Sequence, residues 1–163
     1  MKRTLLGALE DLNYFERIGK KDIIVFDIDG TLSIVGDRLK YIKGEEKDWD
    51  SFYNFCYEDA PNLPIVDLCR TLSVTNHIVY ATGRIERVRD ITLKWLEENN
   101  LPCNTDQLFM RDNNDGREDD EVKPELIATV IDSVKMVFED RSSVVAKWRE
   151  MGIPCCQVAP GDF

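Results

Sequence analysis

The sequence contains a single histidine and five cysteines, and no two of those cysteines have the C-x-x-C spacing. Structural zinc sites draw on such closely spaced pairs together with further cysteine or histidine ligands, so the composition argues against a zinc-binding protein. The odd number of cysteines also gives no sign of a disulfide framework. We therefore expect reduced, partly buried thiols.

Long apolar runs are absent as well. None approaches the roughly 18 residues that a membrane-spanning helix needs, and the N-terminus lacks the continuous apolar core of a signal peptide. We therefore expect a cytoplasmic protein without a membrane partner. Leu5, Leu9 and Leu12 follow helical spacing, which predicts a short amphipathic helix that packs on the body of the protein.

Basic residues are outnumbered: 21 lysines and arginines stand against 31 aspartates and glutamates, for a net charge of −10. Proteins that bind a long nucleic-acid backbone usually carry the opposite charge. The composition therefore predicts no extended grip on a duplex, and any nucleic-acid partner should be bound by an end or a single nucleotide. We expect few basic side chains near such a site beyond those in its motifs.

Two kinds of pattern alternate along the 163 residues, a length that suits one domain covering 1–163. Short apolar runs rich in β-branched residues, each a predicted strand, cover 22–26, 77–81, 107–110, 134–139 and 155–159. Helical patterns cover 62–73, 84–100, 123–132 and 142–152. This alternation predicts an α/β fold, a Rossmann-like three-layer arrangement of a parallel sheet with helices on both faces. The segment 33–61, rich in aromatic and charged residues, interrupts it and predicts a small cap-like insertion after the first strand.

Polar side chains follow three of the predicted strands. They are Asp27 and Asp29 after the first, Thr82, Gly83 and Arg84 after the second, and Glu139 and Asp140 after a later one. Ligands of parallel α/β sheets bind beyond the carboxyl ends of the strands, so we expect these groups to meet at one edge. Lys123, which opens a predicted helix, could reach the same edge.

Asp27 and Asp29 raise an electrostatic problem, because two carboxylates so close together repel each other in an apolar setting. A cation between them, or a proton on one of them, would relieve it. Together with Asp140 they form a ligand set that suits Mg²⁺. Hydroxyl, ammonium and guanidinium donors at the same edge would suit a phosphate. One carboxylate could then act as nucleophile and the other as acid and base.

The tetrapeptide "DIDG" at 27–30 has plainer interpretations when taken by itself. Asp-Gly between apolar runs is common in hairpin turns. An EF-hand loop would need glycine at its sixth position and glutamate at its twelfth, whereas Gly30 falls at the fourth. The ordered motifs downstream favour the phosphate site over both.

Those motifs carry a family resemblance. "FDIDGTL" at 26–32, "YATGR" at 80–84, Lys123 and "FEDR" at 138–141 resemble, in order, the four motifs of the haloacid dehalogenase superfamily of phosphohydrolases. More narrowly, "DGREDDEVK" at 115–123 and the tail "VVAKWREMGIPCCQVAPGDF" at 144–163 resemble the 3′-phosphatase domain of T-even phage polynucleotide kinases. The sequence contains no G-x-x-x-x-G-K-[ST] motif, so a kinase half is not expected within it.

The resemblance implies specific roles. Asp27 would be the nucleophile and Asp29 the general acid and base, with Thr82 and Lys123 holding the phosphoryl group. The implied ligands of Mg²⁺ are Asp27, Asp29, Asp140 and, through water, Glu139. The implied substrate-side residues are Arg38, Gly83, Arg84, Arg111 and Asp119.

The expected function is that of a Mg²⁺-dependent phosphomonoesterase that removes 3′-phosphates from polynucleotide ends or nucleotides through an aspartyl-phosphate. Beyond Arg38 the 33–61 segment aligns poorly with the family, which leaves open a 5′-nucleotidase or small-metabolite phosphatase of the same superfamily. A binding module without catalysis is a third alternative. The aromatic residues of the segment could pack internally or stack on a nucleobase; they are Trp49, Phe52, Tyr53 and Phe55.

Overall fold

The structure, a computed structural model, describes residues 22–161. Its strands are β1 (Ile23–Phe26), β2 (Ser33–Ile34), β3 (Ala60–Pro61), β4 (His77–Ile85), β5 (Leu108–Arg111), β6 (Val134–Glu139) and β7 (Cys155–Gln157). Its α-helices are α1 (Trp49–Asn54), α2 (Leu63–Leu72), α3 (Arg89–Glu98), α4 (Asp119–Leu126) and α5 (Ser142–Glu150). None of these helices has the length and apolar character needed to cross a membrane. The helix predicted around Leu5, Leu9 and Leu12 lies outside the described residues.

Five strands form one parallel sheet in the order β5-β4-β1-β6-β7. The most apolar run, β1, lies at its centre, with Phe26 paired to Tyr80 of β4 on one side and to Phe138 of β6 on the other. The Phe26 and Phe138 rings stack with their centroids 4.6 Å apart. This central position places Asp27, the next residue, in the middle of the carboxyl edge.

Helices cover both faces of the sheet. Successive residues of β1 point to opposite faces, so this strand contributes apolar side chains to both helix layers. Ile24 and Phe26 belong to a buried cluster that includes Trp95 of α3. Val25 belongs to a second cluster that includes Trp148 of α5. Burying each such apolar side chain stabilises the fold by about 1.5–3 kcal/mol. The predicted α/β fold with a parallel sheet between two layers of helices is confirmed.

The 33–61 segment has its own secondary structure. Strand β2 pairs antiparallel with β3, Ser33 opposite Pro61, so the chain leaves and returns at the same point beside the sheet edge. Between them lie 3₁₀ helices at Gly36–Tyr41 and Phe55–Glu58 and the short helix α1. The side chain of Asp48 caps α1 by accepting a hydrogen bond of 2.9 Å from the backbone N–H of Ser51.

Three element boundaries next to the site differ from the sequence prediction. Strand β4 continues to Ile85 rather than ending at residue 81, because Ile85 pairs with Arg111 of β5 after an irregularity in the register. Helix α3 accordingly begins at Arg89, not at residue 84. Helix α4 begins at Asp119, so Lys123 lies inside it rather than at its start. Acidic side chains fill its first turn, where the helix dipole favours negative charge, whereas the sequence prediction started the helix at the Lys123–Pro124 pair.

Candidate active site

Three carboxylates meet at the carboxyl edge of the sheet. Asp27 follows β1, while Glu139 ends β6 and Asp140 comes directly after it. One carboxylate oxygen from each lies within 4.8 Å of the others, and all three residues are buried. The structure therefore concentrates three potential negative charges in a setting that screens them poorly.

The ammonium group of Lys123 is the principal cation at this cluster. From inside α4 its Nζ atom donates hydrogen bonds to Asp27 Oδ1 at 2.8 Å and to Glu139 Oε2 at 2.7 Å. Burial works against its charged form, but the attraction of these two carboxylates outweighs burial and raises the pKa of Lys123. Lys123 is therefore charged, and it compensates part of the negative charge of the cluster.

The remaining negative charge is unbalanced. Burial, together with the repulsion from Glu139, raises the pKa of Asp27 to about 7. Burial and the repulsion from Asp27 raise the pKa of Asp140 to about 6. Both carboxyl groups thus favour a proton, or a second cation, over ionisation alone.

The geometry fits a metal ion at this point. The buried oxygens Asp27 Oδ2 and Asp140 Oδ2 accept no hydrogen bond from any described residue. Gly30 has a φ of +89°, and a Cβ atom there would lie 2.2 Å from Asp140 Oδ2, so only glycine leaves room beside that oxygen. Two free carboxylate oxygens next to a glycine suit a hard divalent cation such as Mg²⁺.

Glu139 differs from Asp27 and Asp140, because both of its carboxylate oxygens accept hydrogen bonds from the protein. Its Oε1 accepts hydrogen bonds from the backbone N–H groups of Asp140 and Arg141, at 3.1 and 3.2 Å. Its Oε2 is bound by Lys123. Since both oxygens are engaged by the protein, Glu139 is suited to act on a metal through water rather than as a direct ligand.

Asp29 does not join the cluster with its carboxylate. Its Oδ1 atom accepts hydrogen bonds from Arg38 at 2.7 Å and from two nitrogens of Arg84 at 2.6 and 2.9 Å. Burial alone would raise its pKa, but Arg84 and Arg38 outweigh burial and lower the pKa of Asp29. The expected set of metal ligands included Asp29; among the described residues, the carboxylates that come together are the other three.

Arg38 and Arg84 were expected on the substrate side, yet both are buried behind Asp29 and neither lines the cavity described below. Thr82 is also buried, and its hydroxyl oxygen accepts a hydrogen bond of 3.2 Å from the backbone N–H of Arg84. The hydroxyl proton of Thr82 can still be donated. The two arginines thus orient the Asp29 carboxylate.

Asp59 is a residue that the sequence analysis missed. Its buried carboxylate accepts hydrogen bonds from Arg38 Nε at 2.8 Å, from Arg38 Nη2 at 2.5 Å and from the Ser33 hydroxyl at 3.1 Å. Its Oδ2 atom also lies 3.5 Å from a guanidinium nitrogen of Arg84. No motif marks Asp59; its only signal is its position where the 33–61 segment returns to the sheet.

Arg111 and Asp119 organise the loop between β5 and α4. Arg111 donates to the backbone carbonyls of Asp115 at 2.9 Å and Arg117 at 2.6 Å, and it also binds the Asp119 carboxylate. Arg141 pairs with the other oxygen of Asp119 at 3.1 Å. Several donors of Arg111 are therefore used to hold this loop, although its surface still lines the cavity.

Gly83 is required by the position of Asp119. A Cβ atom at residue 83 would lie 2.6 Å from Asp119 Oδ1. Asp119 is largely buried, and in spite of burial the charges of Lys123, Arg141 and Arg111 lower its pKa. The structure thus brings the predicted residues 83, 111 and 119 together in one wall of the site.

A cavity of about 740 Å³ opens over the cluster. The 33–61 segment forms one side and the loop 113–118 another, with Asp27, Asp29 and Lys123 also in the wall. The expectation of few basic side chains near the site is wrong, because four further basic residues line this cavity. They are Lys43, Lys47, Arg87 and Arg117.

Comparison with known proteins finds a family model that matches most of the chain. A family model described as the polynucleotide kinase PNKP phosphatase domain matches residues 21–163. A putative bifunctional polynucleotide kinase/RNA ligase of Autographa californica nuclear polyhedrosis virus is 26% identical over 153 residues, which are 90% of this chain. The match covers 21% of that viral protein.

Solved structures agree with this result. A chain of the Pnkp1/Rnl/Hen1 complex superposes with a TM-score of 0.71 at 29% identity, over 88% of this chain and 48% of the other. A haloacid dehalogenase-like hydrolase from Streptococcus pneumoniae superposes with a TM-score of 0.59 at 15% identity, over 83% of each chain, and shares the fold. The present chain thus spans less than half the length of the viral relative and of the chain in the complex.

Proposed function

The chain belongs to the family of polynucleotide kinase PNKP phosphatase domains, and from this premise we propose that it is a Mg²⁺-dependent phosphomonoesterase. Its proposed substrates are 3′-phosphates at polynucleotide ends or on nucleotides. The names of two relatives, which refer to a polynucleotide kinase/RNA ligase and to a complex that contains Pnkp1, support a nucleic-acid end as substrate.

One observation carries the proposed chemistry. The carboxylate of Asp27 is buried. Lys123 donates a hydrogen bond to one of its oxygens, and the other oxygen has no hydrogen-bond partner among the described residues. The unpartnered oxygen can bind a metal, which leaves the oxygen beside the Lys123 ammonium, in the wall of the cavity, suited to attack the phosphorus atom of a bound phosphate. Asp27 and Asp140 would hold Mg²⁺, with Glu139 contributing through water. When bound, the metal would neutralise charge on the carboxylates and the phosphate oxygens.

In the first step an oxygen of Asp27 attacks phosphorus and the bond to the 3′-oxygen breaks. Lys123 and the Thr82 hydroxyl bind the non-bridging oxygens, and Asp29 gives a proton to the leaving oxygen. The incoming phosphate brings negative charge close to Asp29, which favours the protonated form that this step needs.

In the second step water attacks the phosphorus of the aspartyl-phosphate. Asp29, now ionised, takes the proton from the water, and the bond between Asp27 and phosphorus breaks to release inorganic phosphate. Arg38 and Arg84, which lower the pKa of Asp29, stabilise the ionised form that this second step needs.

The 33–61 segment acts in this proposal as a small cap within a single domain. Two observations support this role. Lys47 and Trp49 of the segment line the cavity, and Asp50 of the segment forms an ion pair of 2.7 Å with Arg87 outside it. The segment would therefore cover the bound phosphate and contact the part of the substrate that is attached to it.

The test compares phosphate release from a 3′-phosphorylated oligonucleotide with release from nucleoside 5′-monophosphates, in Mg²⁺ and in EDTA. We expect the 3′-substrate to be preferred and activity to vanish in EDTA. A preference for 5′-monophosphates would establish the nucleotidase alternative instead. Absence of hydrolysis of every phosphomonoester, including a generic aryl phosphate, would leave a binding module as the function.

A further inference from the structure

The aromatic residues of the 33–61 segment occupy two kinds of environment. Phe52 is buried, with the guanidinium carbon of Arg38 at 4.4 Å from its ring centroid. Phe55 stacks on Tyr41 at a centroid distance of 5.5 Å and does not line the cavity. Phe52 also lines the cavity but is buried, whereas Phe55 is 39% exposed but lies outside the cavity, so neither offers an open ring to a ligand there.

Trp49 and Tyr53 are different, because both line the cavity that holds the three carboxylates and neither is buried. Their rings stack on each other, with centroids 6.0 Å apart and an interplanar angle of 27°, and we call this pair the aromatic surface. Trp49 packs edge-on against Phe52 at a centroid distance of 5.7 Å, yet 44% of it stays exposed in the cavity wall. An exposed aromatic ring in the wall of a polar cavity offers a surface on which a nucleobase can stack.

The cavity is larger than a phosphoryl group requires. Its volume of about 740 Å³ lies within the range of about 300–1,000 Å³ that is typical of pockets for drug-sized ligands. The phosphate position beside Asp27 and Lys123 occupies one part of it. The aromatic surface borders the same space, so a nucleoside attached to the phosphate would meet that surface.

Two of the basic side chains in the wall, Lys43 and Lys47, form no ion pair with a carboxylate of the described residues. Arg87 pairs with a carboxylate of the 33–61 segment, and Arg117 with carboxylates in and after its own loop. Between residues 22 and 161, neither Lys43 nor Lys47 lies within ion-pair distance of a carboxylate, and Lys47 Nζ is 5.5 Å from the centroid of the Trp49 ring. These ammonium groups are available to bind an anion beside the aromatic surface.

We propose that Trp49 and Tyr53 form a subsite that stacks on the 3′-terminal base of a single strand, and that Lys43 and Lys47 bind the next phosphodiester. This subsite rests on the proposed function, which places the terminal phosphate at Asp27. Stacking accepts every base because each has an aromatic face, so the subsite selects an unpaired end and shows little preference among bases. The enzyme then recognises more of the strand than its terminal phosphate.

Steady-state kinetics test the subsite with two substrates, a 3′-phosphorylated single-stranded trinucleotide and glycerol 2-phosphate, which has no base. We expect Trp49→Leu to lower the ratio of kcat/KM for the trinucleotide to kcat/KM for glycerol phosphate roughly tenfold, within the range typical of base stacking. Phe55→Leu, a change of the same kind in the same segment, should leave the ratio unaltered. Equal losses on both substrates for Trp49→Leu would overturn the subsite.

The lysines are tested by salt dependence. Replacing Lys43 and Lys47 together by glutamine should weaken kcat/KM for the trinucleotide and make its dependence on salt concentration shallower, by a slope of about 0.7 for each phosphate that the protein no longer neutralises. An unchanged slope would show that Lys43 and Lys47 do not bind the phosphodiester.

A binding measurement tests the subsite independently of catalysis. Of the three tryptophans, Trp95 and Trp148 are buried, so quenching of fluorescence by a bound base reports on Trp49. The Asp27→Asn variant, titrated with the 3′-phosphorylated trinucleotide, should show quenching that Trp49→Leu in the same background loses. Absence of binding, or binding without quenching, would refute the subsite. Quenching in a protein that hydrolyses no phosphomonoester would instead refute the proposed function and support the subsite.

Discussion

Asp27 and Asp29 are separated by one residue, yet their carboxyl groups have opposite properties. Burial and the neighbouring Glu139 raise the pKa of Asp27 to about 7. The guanidinium groups of Arg84 and Arg38 outweigh burial and lower the pKa of Asp29. The proposed roles need the opposite order, an ionised Asp27 as nucleophile and a protonated Asp29 as acid. Bound Mg²⁺ would favour the ionised form of Asp27, and the negative charge of the substrate phosphate would favour a proton on Asp29.

Replacing Asp27 by asparagine tests the nucleophile. The amide has nearly the same shape but cannot form the aspartyl-phosphate, so we expect turnover to fall to the detection limit. The fold should persist, because the variant removes a buried carboxylate that the native fold holds with a raised pKa. Phosphate release and thermal unfolding in EDTA measure the two effects. Wild-type rates in Asp27→Asn would exclude covalent catalysis by this residue.

Replacing Asp59 by asparagine tests the network behind Asp29. The amide cannot accept both hydrogen bonds from Arg38, and its NH₂ group would meet a cation. Breaking a buried charge pair in this way typically costs about 3–5 kcal/mol. We therefore expect a lower free energy of unfolding in urea, together with a lower kcat/KM.

Asp67→Asn provides the matched control, since its ion pair with Arg70 is exposed. Exposed pairs contribute about 0–1 kcal/mol, so this variant should retain both stability and activity. If Asp59→Asn behaves like Asp67→Asn, the buried carboxylate does not hold Arg38 in place.

At the scale of the elements, the site depends on where strands and helices end. Strand β4 continues past Thr82 to Ile85, and this extension carries Arg84 into the interior beside Asp29. Helix α4 begins four residues before Lys123, which places its ammonium group over the end of β1. The close approach of β4 to the start of α4 explains why residue 83 is glycine.

Gly83→Ala tests that approach. The added methyl group would lie 2.6 Å from Asp119 Oδ1, so Asp119 must move away from Arg111 and Arg141. Displacements of about 1 Å can lower activity on the order of 10²-fold, and overpacking of this kind costs about 1–3 kcal/mol of stability. Kinetics and urea denaturation measure the two losses.

Gly116→Ala is the control for this substitution. Gly116 lies in the loop that precedes Asp119, and no atom lies within 4 Å of the position its Cβ would take. The variant should therefore match the wild-type protein in both assays. Equal behaviour of the two alanine variants would contradict the close packing at Gly83.

At the scale of the whole molecule, the stability of the fold is linked to charge at its active edge. The folded protein holds Asp27 and Asp140 with pKa values of about 7 and about 6, above the value of 3.8 that aspartate has when exposed. Between about pH 4 and about pH 7 the folded state therefore binds more protons than the unfolded state, and the free energy of unfolding falls as pH rises. A divalent cation that binds the ionised carboxylates would oppose this loss.

Mg²⁺ should consequently raise Tm more at about pH 8 than at about pH 5, because protons compete with the metal at the lower pH. A Mg²⁺ concentration one hundred times its Kd would add about 2.7 kcal/mol to the free energy of unfolding. Calorimetry in EDTA and in millimolar Mg²⁺, at both pH values, measures the effect. Asp140→Asn should lose most of it. A shift of equal size at both pH values, or no shift, would argue against metal binding at this cluster.

The sequence by itself determined the α/β architecture of this protein and the small group of polar residues at one edge of its sheet. Alternating apolar periodicities predict strands and helices, and parallel strands bring their carboxyl ends together whatever the remaining side chains are. Asp27, Lys123, Glu139 and Asp140 could therefore be assigned to one site from their positions after, or beside, those strands. Family membership followed from the same motifs.

Only the tertiary structure decided what each of those side chains contacts. Arg38 and Asp59 are 21 residues apart, and Arg84 is 55 residues from Asp29, so no local pattern could predict that they would form one buried network. The same holds for Lys43, Lys47 and Trp49, which line the site because the 33–61 segment folds back over the sheet. Contacts of this kind depend on packing between distant parts of the chain, and periodicity and spacing carry no information about them.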